Sequence, residues 1–261
     1  MKVVLLPGLD GTGILFKPLT DVLPADIDIK IISYPTVYKV SYRGLVEYVM
    51  KQLPKDDFIL VAESFSGPIA YEIATRKPED IKSVIFSASF LENPRTRIHY
   101  LAKFLPMKLL FVLPIPDFVV KHFFLGSSAD ANLIDLFRQS VKKVSPSVLS
   151  YRLKAIGKLS FNQKVCDVNA IYIQATNDKL VPDSCVELFK KMCKNLNVFR
   201  VQGSHCILQT NPLACAEIIT DEAHLIGSWL LDRWKELEGG GGAIGPYEHL
   251  DLHTWSYAAA S

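Results

Sequence analysis

A serine at position 64 stands at the apex of Val61-Ala62-Glu63-Ser64-Phe65-Ser66-Gly67. An apolar run, Phe58-Ile59-Leu60-Val61, breaks there into small residues, and a helix-compatible stretch runs on from Gly67 through Ala74. Strand, sharp turn and helix in that order hold the apex side chain exposed on a strained backbone. The pattern is a relaxed Gly-x-Ser-x-Gly, with Ala62 and Ser66 where the glycines would be. A serine hydroxyl is a weak nucleophile at neutral pH and needs an imidazole to take its proton, and a carboxylate to orient that imidazole. Two later segments offer both. The strand Ile171-Tyr172-Ile173-Gln174-Ala175-Thr176 leads to Asp178, and Val198-Phe199-Arg200-Val201-Gln202-Gly203 leads to His205. Each residue alone has a plain explanation: Ser64 as a helix cap, Asp178 as a turn former, His205 as a loop histidine. Three of them beyond the carboxyl ends of three strands, in the order Ser, Asp, His, point instead to one site.

Attack by a serine on a carbonyl creates an oxyanion, which needs preorganised N–H donors. The backbone N–H of Phe65, directly after the nucleophile, is one candidate donor. The other lies in the loop after the first strand, Val3-Val4-Leu5-Leu6-Pro7-Gly8-Leu9-Asp10-Gly11-Thr12-Gly13, where Leu9 is the expected donor and Gly8 allows close approach. A phosphate-binding reading of this loop fails, because neither the Gly-Lys-Ser/Thr ending nor Gly-x-Gly-x-x-Gly is present. Glu63 is expected to face solvent on the turn, and Asp10 to serve the Gly-rich turn.

The elements that must position these groups alternate. Strands are predicted near 2–7, 28–34, 57–63, 83–88, 170–176 and 197–203, and helices near 14–23, 41–54, 67–76, 183–195 and 211–236. Alternation of this kind means an α/β fold with a parallel sheet of about six strands flanked by helices. The alternation fails between residues 93 and 160, which read as helices at 96–113, 115–124, 129–143 and 146–158, broken at Pro114, Pro116, Gly126 and Pro146.

Four pieces together, Leu6-Pro7-Gly8-Leu9-Asp10-Gly11-Thr12-Gly13, Ala62-Glu63-Ser64-Phe65-Ser66-Gly67, Asn177-Asp178-Lys179-Leu180-Val181-Pro182 and Gly203-Ser204-His205, resemble the α/β-hydrolase superfamily of esterases, lipases and serine-aminopeptidase-like hydrolases. The resemblance spans residues 3 to about 236. Two departures are the replacement of the family's common His-Gly by Pro7-Gly8 and of the elbow glycines by Ala62 and Ser66. The resemblance implies an α/β-hydrolase core at 1–92 and 161–238, trimmed of the two antiparallel strands that usually precede the first parallel one. It also implies that 93–160 is a helical cap inserted before the acid-bearing strand. The implied activity is hydrolysis of a small-molecule acyl ester through an acyl-enzyme, without cofactor or metal. Ser64 would attack, His205 would serve as base and then acid, and Asp178 would orient His205. Acyl transfer or thioester cleavage on the same triad stays open, since Pro7-Gly8-x-Asp-Gly-Thr-Gly resembles relatives that move acyl groups between lipids. A non-catalytic receptor on the same fold is the remaining rival.

A cap excludes water and shapes the acyl pocket. Phe104, Phe111, Phe118, Phe124 and Phe137 are its candidate substrate-binding residues, with Leu109 and Phe123 beside them. Between 93 and 160 there are eleven basic residues (Arg95, Arg97, Lys103, Lys108, Lys121, Arg138, Lys142, Lys143, Arg152, Lys154, Lys158) against Asp117, Asp130 and Asp135. That is +8 in a chain whose net charge is +2, which leaves −6 for the rest. Solvated helix faces explain most of this excess. An anionic carrier or lipid surface would also fit it, whereas nucleic acid would not, because no recognition motif accompanies the charge.

A chain of 261 residues suffices for one such domain. Met1-Lys2-Val3-Val4-Leu5-Leu6 is one short strand without the features of a signal peptide, no apolar run reaches the length of a membrane span, and a cytoplasmic location is expected. Five cysteines without metal spacing are expected to be reduced, with Cys206 beside the base as the one to watch for oxidation. Residues 239–261 begin with four glycines, fit no element of the fold and have the character of a non-native remnant. Tyr247, Leu250, Trp255 and Tyr257 are expected to pack into a groove of this or a neighbouring molecule and so mediate self-association. His249 and His253 lack a third ligand for a metal.

Overall fold

Successive strand residues point to opposite faces of a sheet, so a strand covered by helices on both sides must be apolar at every position. Lys2–Leu6 (β1), Phe58–Glu63 (β3), Ile81–Ser87 (β4) and Asn169–Ala175 (β5) approach that composition, and they form the middle of the sheet. Val4, Leu6, Phe58, Leu60 and Ala62 enter one buried cluster, and Val3, Leu5, Ile59 and Val61 the opposite one. The computed structural model describes residues 1–76, 79–94, 115–159 and 163–239. The predicted helix at 96–113, Phe104, Phe111, Leu109 and the tail from 240 onward lie outside the described residues.

The sheet has six strands in the order β2-β1-β3-β4-β5-β6, with Asp28–Ile31 (β2) and Leu196–Val201 (β6) at its edges, and every pairing is parallel. Tyr42–Met50 (α2), Gly67–Thr75 (α3) and Cys185–Met192 (α7) cover the first face. Lys17–Thr20 (α1), Ile207–Thr210 (α8) and the long helix Pro212–Gly239 (α9) contribute to the second. The predicted helix at 14–23 is a 3₁₀ turn, Ile14–Phe16, running into α1, and α8 has no counterpart among the predicted elements. From β1 the chain steps outward to β2 and then returns past β1 to build β3 through β6. The order therefore reverses between β1 and β3, and a crevice beyond the carboxyl ends at such a switch point is where ligands bind in sheets of this kind.

The described residues between β4 and β5 include Asp117–Val120 (α4) continued by a π turn Lys121–Leu125, then Ala131–Lys142 (α5) and Pro146–Gly157 (α6). Asp130 caps α5 by accepting from Leu133 N–H at 2.8 Å. Leu15, Val120, Leu125, Ala129, Ile134, Phe137 and Cys206 form a separate buried cluster, which seats this segment against the residue that follows His205. Among the described residues no helix is long and apolar enough to cross a membrane.

Candidate active site

Ser64 follows the last residue of β3 and opens a one-turn 3₁₀ helix, Ser64–Ser66, that runs straight into α3. Its φ of 48° lies in the left-handed region that L-residues avoid, so the strain is held in place by what packs around it. A Cβ on Gly67 would lie 1.7 Å from Ser89 Oγ, and that same hydroxyl donates to the Ser64 carbonyl at 2.7 Å. The close passage of the turn is therefore at Gly67, one residue beyond the position the motif suggests. Ser66 is not merely small. Its hydroxyl donates to the Pro7 carbonyl and lies 2.5 Å from Tyr34 Oη, tying the elbow to the loop after β1.

Asp178 lies three residues beyond β5 and His205 four beyond β6. Asp178 Oδ1 accepts from the backbone N–H groups of Leu180 (2.7 Å) and Val181 (2.9 Å), which fixes the carboxylate. Its Oδ2 is 2.8 Å from His205 Nδ1, and His205 Nε2 is 2.8 Å from Ser64 Oγ. Three residues far apart in the chain thus form one hydrogen-bonded line, with the Asp178 and His205 side chains 4% and 8% exposed. The line is consistent with a neutral imidazole whose Nδ1–H donates to Asp178 and whose Nε2 accepts from the serine hydroxyl. Burial pulls the imidazole toward its neutral form. The charge and hydrogen bond of Asp178, with a further contribution from Glu63, outweigh this and raise its pKa above 6.5. A base with a raised pKa keeps its proton to higher pH, so base activity is lost as pH falls through that raised value. In a profile of kcat/KM between pH 5 and 9, the acid limb should have its midpoint above 6.5; a midpoint below 6.5 would contradict this electrostatic picture.

The two expected oxyanion donors lie just beyond the carboxyl ends of adjacent strands, because β1 pairs with β3 up to Leu6↔Ala62. Phe65 has its ring buried against Tyr42 (centroids 4.6 Å apart, stacked) and Tyr34 (6.3 Å, edge-on). Leu9 lies in the loop between Gly8 and Asp10. Asp10 accepts from Thr12 N–H at 3.2 Å and is only 7% exposed. Gly8 is not where glycine is required, since a Cβ there would find its nearest neighbour at 3.5 Å. The requirement falls on Gly11, with φ of 70°, where a Cβ would meet Arg152 Nη1 at 2.4 Å.

Arg152 itself is a correction to the sequence reading, which counts it among the solvated cations. It is 2% exposed and donates to the carbonyls of Leu9 (2.9 Å), Asp10 (2.6 Å) and Pro35 (2.9 Å), with its guanidinium 5.6 Å from the Tyr34 ring centre. One helix from the segment between β4 and β5 thereby pins the loop that carries Leu9. The signal was present: Val148, Leu149, Arg152 and Ile156 share the buried face of α6 at helical spacing. Arg138 is likewise engaged, by Asp117 and Asp135. Glu63 also departs from expectation, being 4% exposed.

The phenylalanines divide. Phe118 is 74% exposed on α4, whose Val120 is buried instead. Phe124 and Phe137 pack on each other at 4.9 Å in the cluster that includes Cys206, and the Phe124 carbonyl accepts from Cys206 N–H at 2.9 Å. Both therefore pack beside the residue that follows His205. Cys206 is buried, and burial holds its thiol well above its usual pKa, which leaves little thiolate to oxidise. All five cysteines are free.

The structure resembles solved α/β-hydrolase folds over most of its length. A lipase-esterase related protein from Clostridium acetobutylicum matches with a TM-score of 0.68 and 15% identity, over 84% of this chain and 93% of that one. A thermophilic esterase matches with a TM-score of 0.70 and 15% identity, over 86% and 90%. The RedJ thioesterase from the prodiginine pathway of Streptomyces coelicolor matches with a TM-score of 0.61 and 16% identity, over 84% of each. No protein-family model matches the sequence, and no curated protein does. The fold is that of the α/β-hydrolases.

Proposed function

We propose that this chain is a serine hydrolase of carboxylic esters working through an acyl-enzyme. What carries the reading is the continuous relay from Ser64 through His205 to Asp178, with 2.8 Å at both links. In the proposed reaction Ser64 Oγ bonds to the acyl carbon while its proton passes to His205 Nε2. Asp178 stabilises the imidazolium, and the N–H groups of Phe65 and Leu9 hold the oxyanion. Collapse breaks the ester C–O bond, and the alcohol leaves with the proton from His205. Water then gives a proton to the same nitrogen as its oxygen bonds to the acyl carbon; collapse breaks the acyl C–Oγ bond, His205 returns the proton to Ser64 Oγ, and the acid leaves. The esterases among the similar folds support this chemistry.

Thioester cleavage is the second reading. The RedJ thioesterase among the similar folds and the exposed Lys142, Lys143, Lys154 and Lys158, which suit an acidic carrier, favour it. One panel separates the two: p-nitrophenyl esters of increasing acyl length, beside acyl thioesters of matched chains. Turnover led by the oxygen esters supports the first reading, turnover led by the thioesters the second, and turnover of neither defeats both.

A further inference from the structure

One carboxylate beside the nucleophile has no part in those steps. Glu63 is the last residue of β3, adjoins Ser64 along the chain and is 4% exposed. By strand alternation it points to the same face as Ile59 and Val61, the face covered by α8 and α9. A Cβ on Gly8 would sit 3.5 Å from Glu63 Oε2, so the carboxyl lies against the loop that carries Leu9. Its buried Oε1 makes no hydrogen bond of regular geometry, while the Gln209 amide on α8 and the Gly8 N–H lie close enough to favour the ionised carboxylate. Among the described residues Glu63 enters no ion pair.

The titratable and charged groups that interact with it are few. Asp10, from the loop after β1, opposes its ionisation, and His205, from the loop after β6, favours it. Cys206 and Cys215 feel its charge but are kept as thiols chiefly by burial. Arg152 on α6, which acts on Asp10, donates to the carbonyls of Leu9, Asp10 and Pro35. Among the described residues a positive charge on His205 is thus the charge that favours an ionised Glu63, beside the dipoles of Gln209 and the Gly8 N–H, and the coupling must act equally in reverse.

We propose that Glu63 is a positioning residue that sets the basicity of His205, its buried carboxylate stabilising the imidazolium that forms when Ser64 gives up its proton. The inference deepens the hydrolase reading and rests on it for its catalytic meaning. Burial, with Asp10 adding, pushes the Glu63 carboxyl up to about 7, so its charge changes in the range where His205 must cycle. Two such groups titrate as a pair, not singly.

The test is an NMR titration of the histidine ring signals from pH 4 to 10, with His205 identified by the signal lost in His205→Gln. In Glu63→Gln the His205 titration should move down by about one pH unit. An unmoved His205 in the folded variant overturns the proposal. The wild type supplies a second reading that needs no variant: His205 should titrate in two steps, and a single step overturns the proposal. These measurements require no turnover. Failure on every ester and thioester would defeat the hydrolase reading and leave this coupling to be decided by the titration alone. If turnover is found, the acid limb of kcat/KM should shift down with the NMR value in Glu63→Gln, a shift that a merely space-filling Glu63 would not produce.

Discussion

Replacing Ser64 by alanine should lower kcat/KM by roughly 10⁴- to 10⁶-fold on any ester or thioester that the wild type turns over. That loss is about 5–8 kcal/mol of transition-state stabilisation. In the proposed reaction Ser64 is the one group in the relay that bonds to the substrate. The residual rate would come from the oxyanion donors and from binding alone. Alanine removes one oxygen and leaves the backbone at position 64 with the same left-handed demand, a φ of 48° in the wild type. The fold should therefore survive, as circular dichroism would verify beside the initial rates. Ser64→Ala and His205→Ala should be far from additive, because neither residue works without the other. A Ser64→Ala protein that keeps a tenth of the wild-type rate would remove Ser64 from the chemistry.

The second large effect is on stability. Arg152→Met keeps much of the volume of the side chain but deletes the donors that hold the carbonyls of Leu9, Asp10 and Pro35. Unpaired buried acceptors cost about 1–3 kcal/mol each. Some of the three will find other partners after relaxation, so urea denaturation should show a loss of about 3–5 kcal/mol. Arg152→Lys should not restore it, since one ammonium cannot reproduce the planar fork that reaches three carbonyls. Gly11→Ala approaches the same contact from the other side, by placing a methyl against Nη1 and forcing a side chain onto a φ of 70°. An Arg152→Met protein within 1 kcal/mol of wild type would mean that the loop after β1 is held by something else.

The sheet was readable because its signal is local. A strand buried on both faces must be apolar throughout, and β1, β3 and β4 announce themselves in five to seven residues. The relay was readable for a related reason: chemistry narrows the choices to a few residue types, and a parallel sheet delivers its loops to one edge. Glu63 and Arg152 depart from the sequence expectation because each is polar, and a polar residue on a turn or amphipathic helix is solvated by default. What meets the Glu63 carboxyl includes the Gly8 loop and Gln209 on α8, the latter more than a hundred residues later in the chain. What buries Arg152 is the loop after β1, whose carbonyls sit 142 and 143 positions away. Phe118 errs in the opposite sense: helical spacing shows that a stripe is apolar, not that a partner covers every residue in it.

Residue order was enough for the α/β alternation, the six strands and the chemical types at positions 64, 178 and 205, because periodicity and strand-end placement are properties of short segments. It was not enough to say which charges are buried, where the turn needs glycine, or that a carboxylate beside the serine is within reach of the histidine's charge. Those outcomes depend on contacts between segments that are distant in the chain. Whether a charge is solvated or confined is set by the neighbours that folding brings to it.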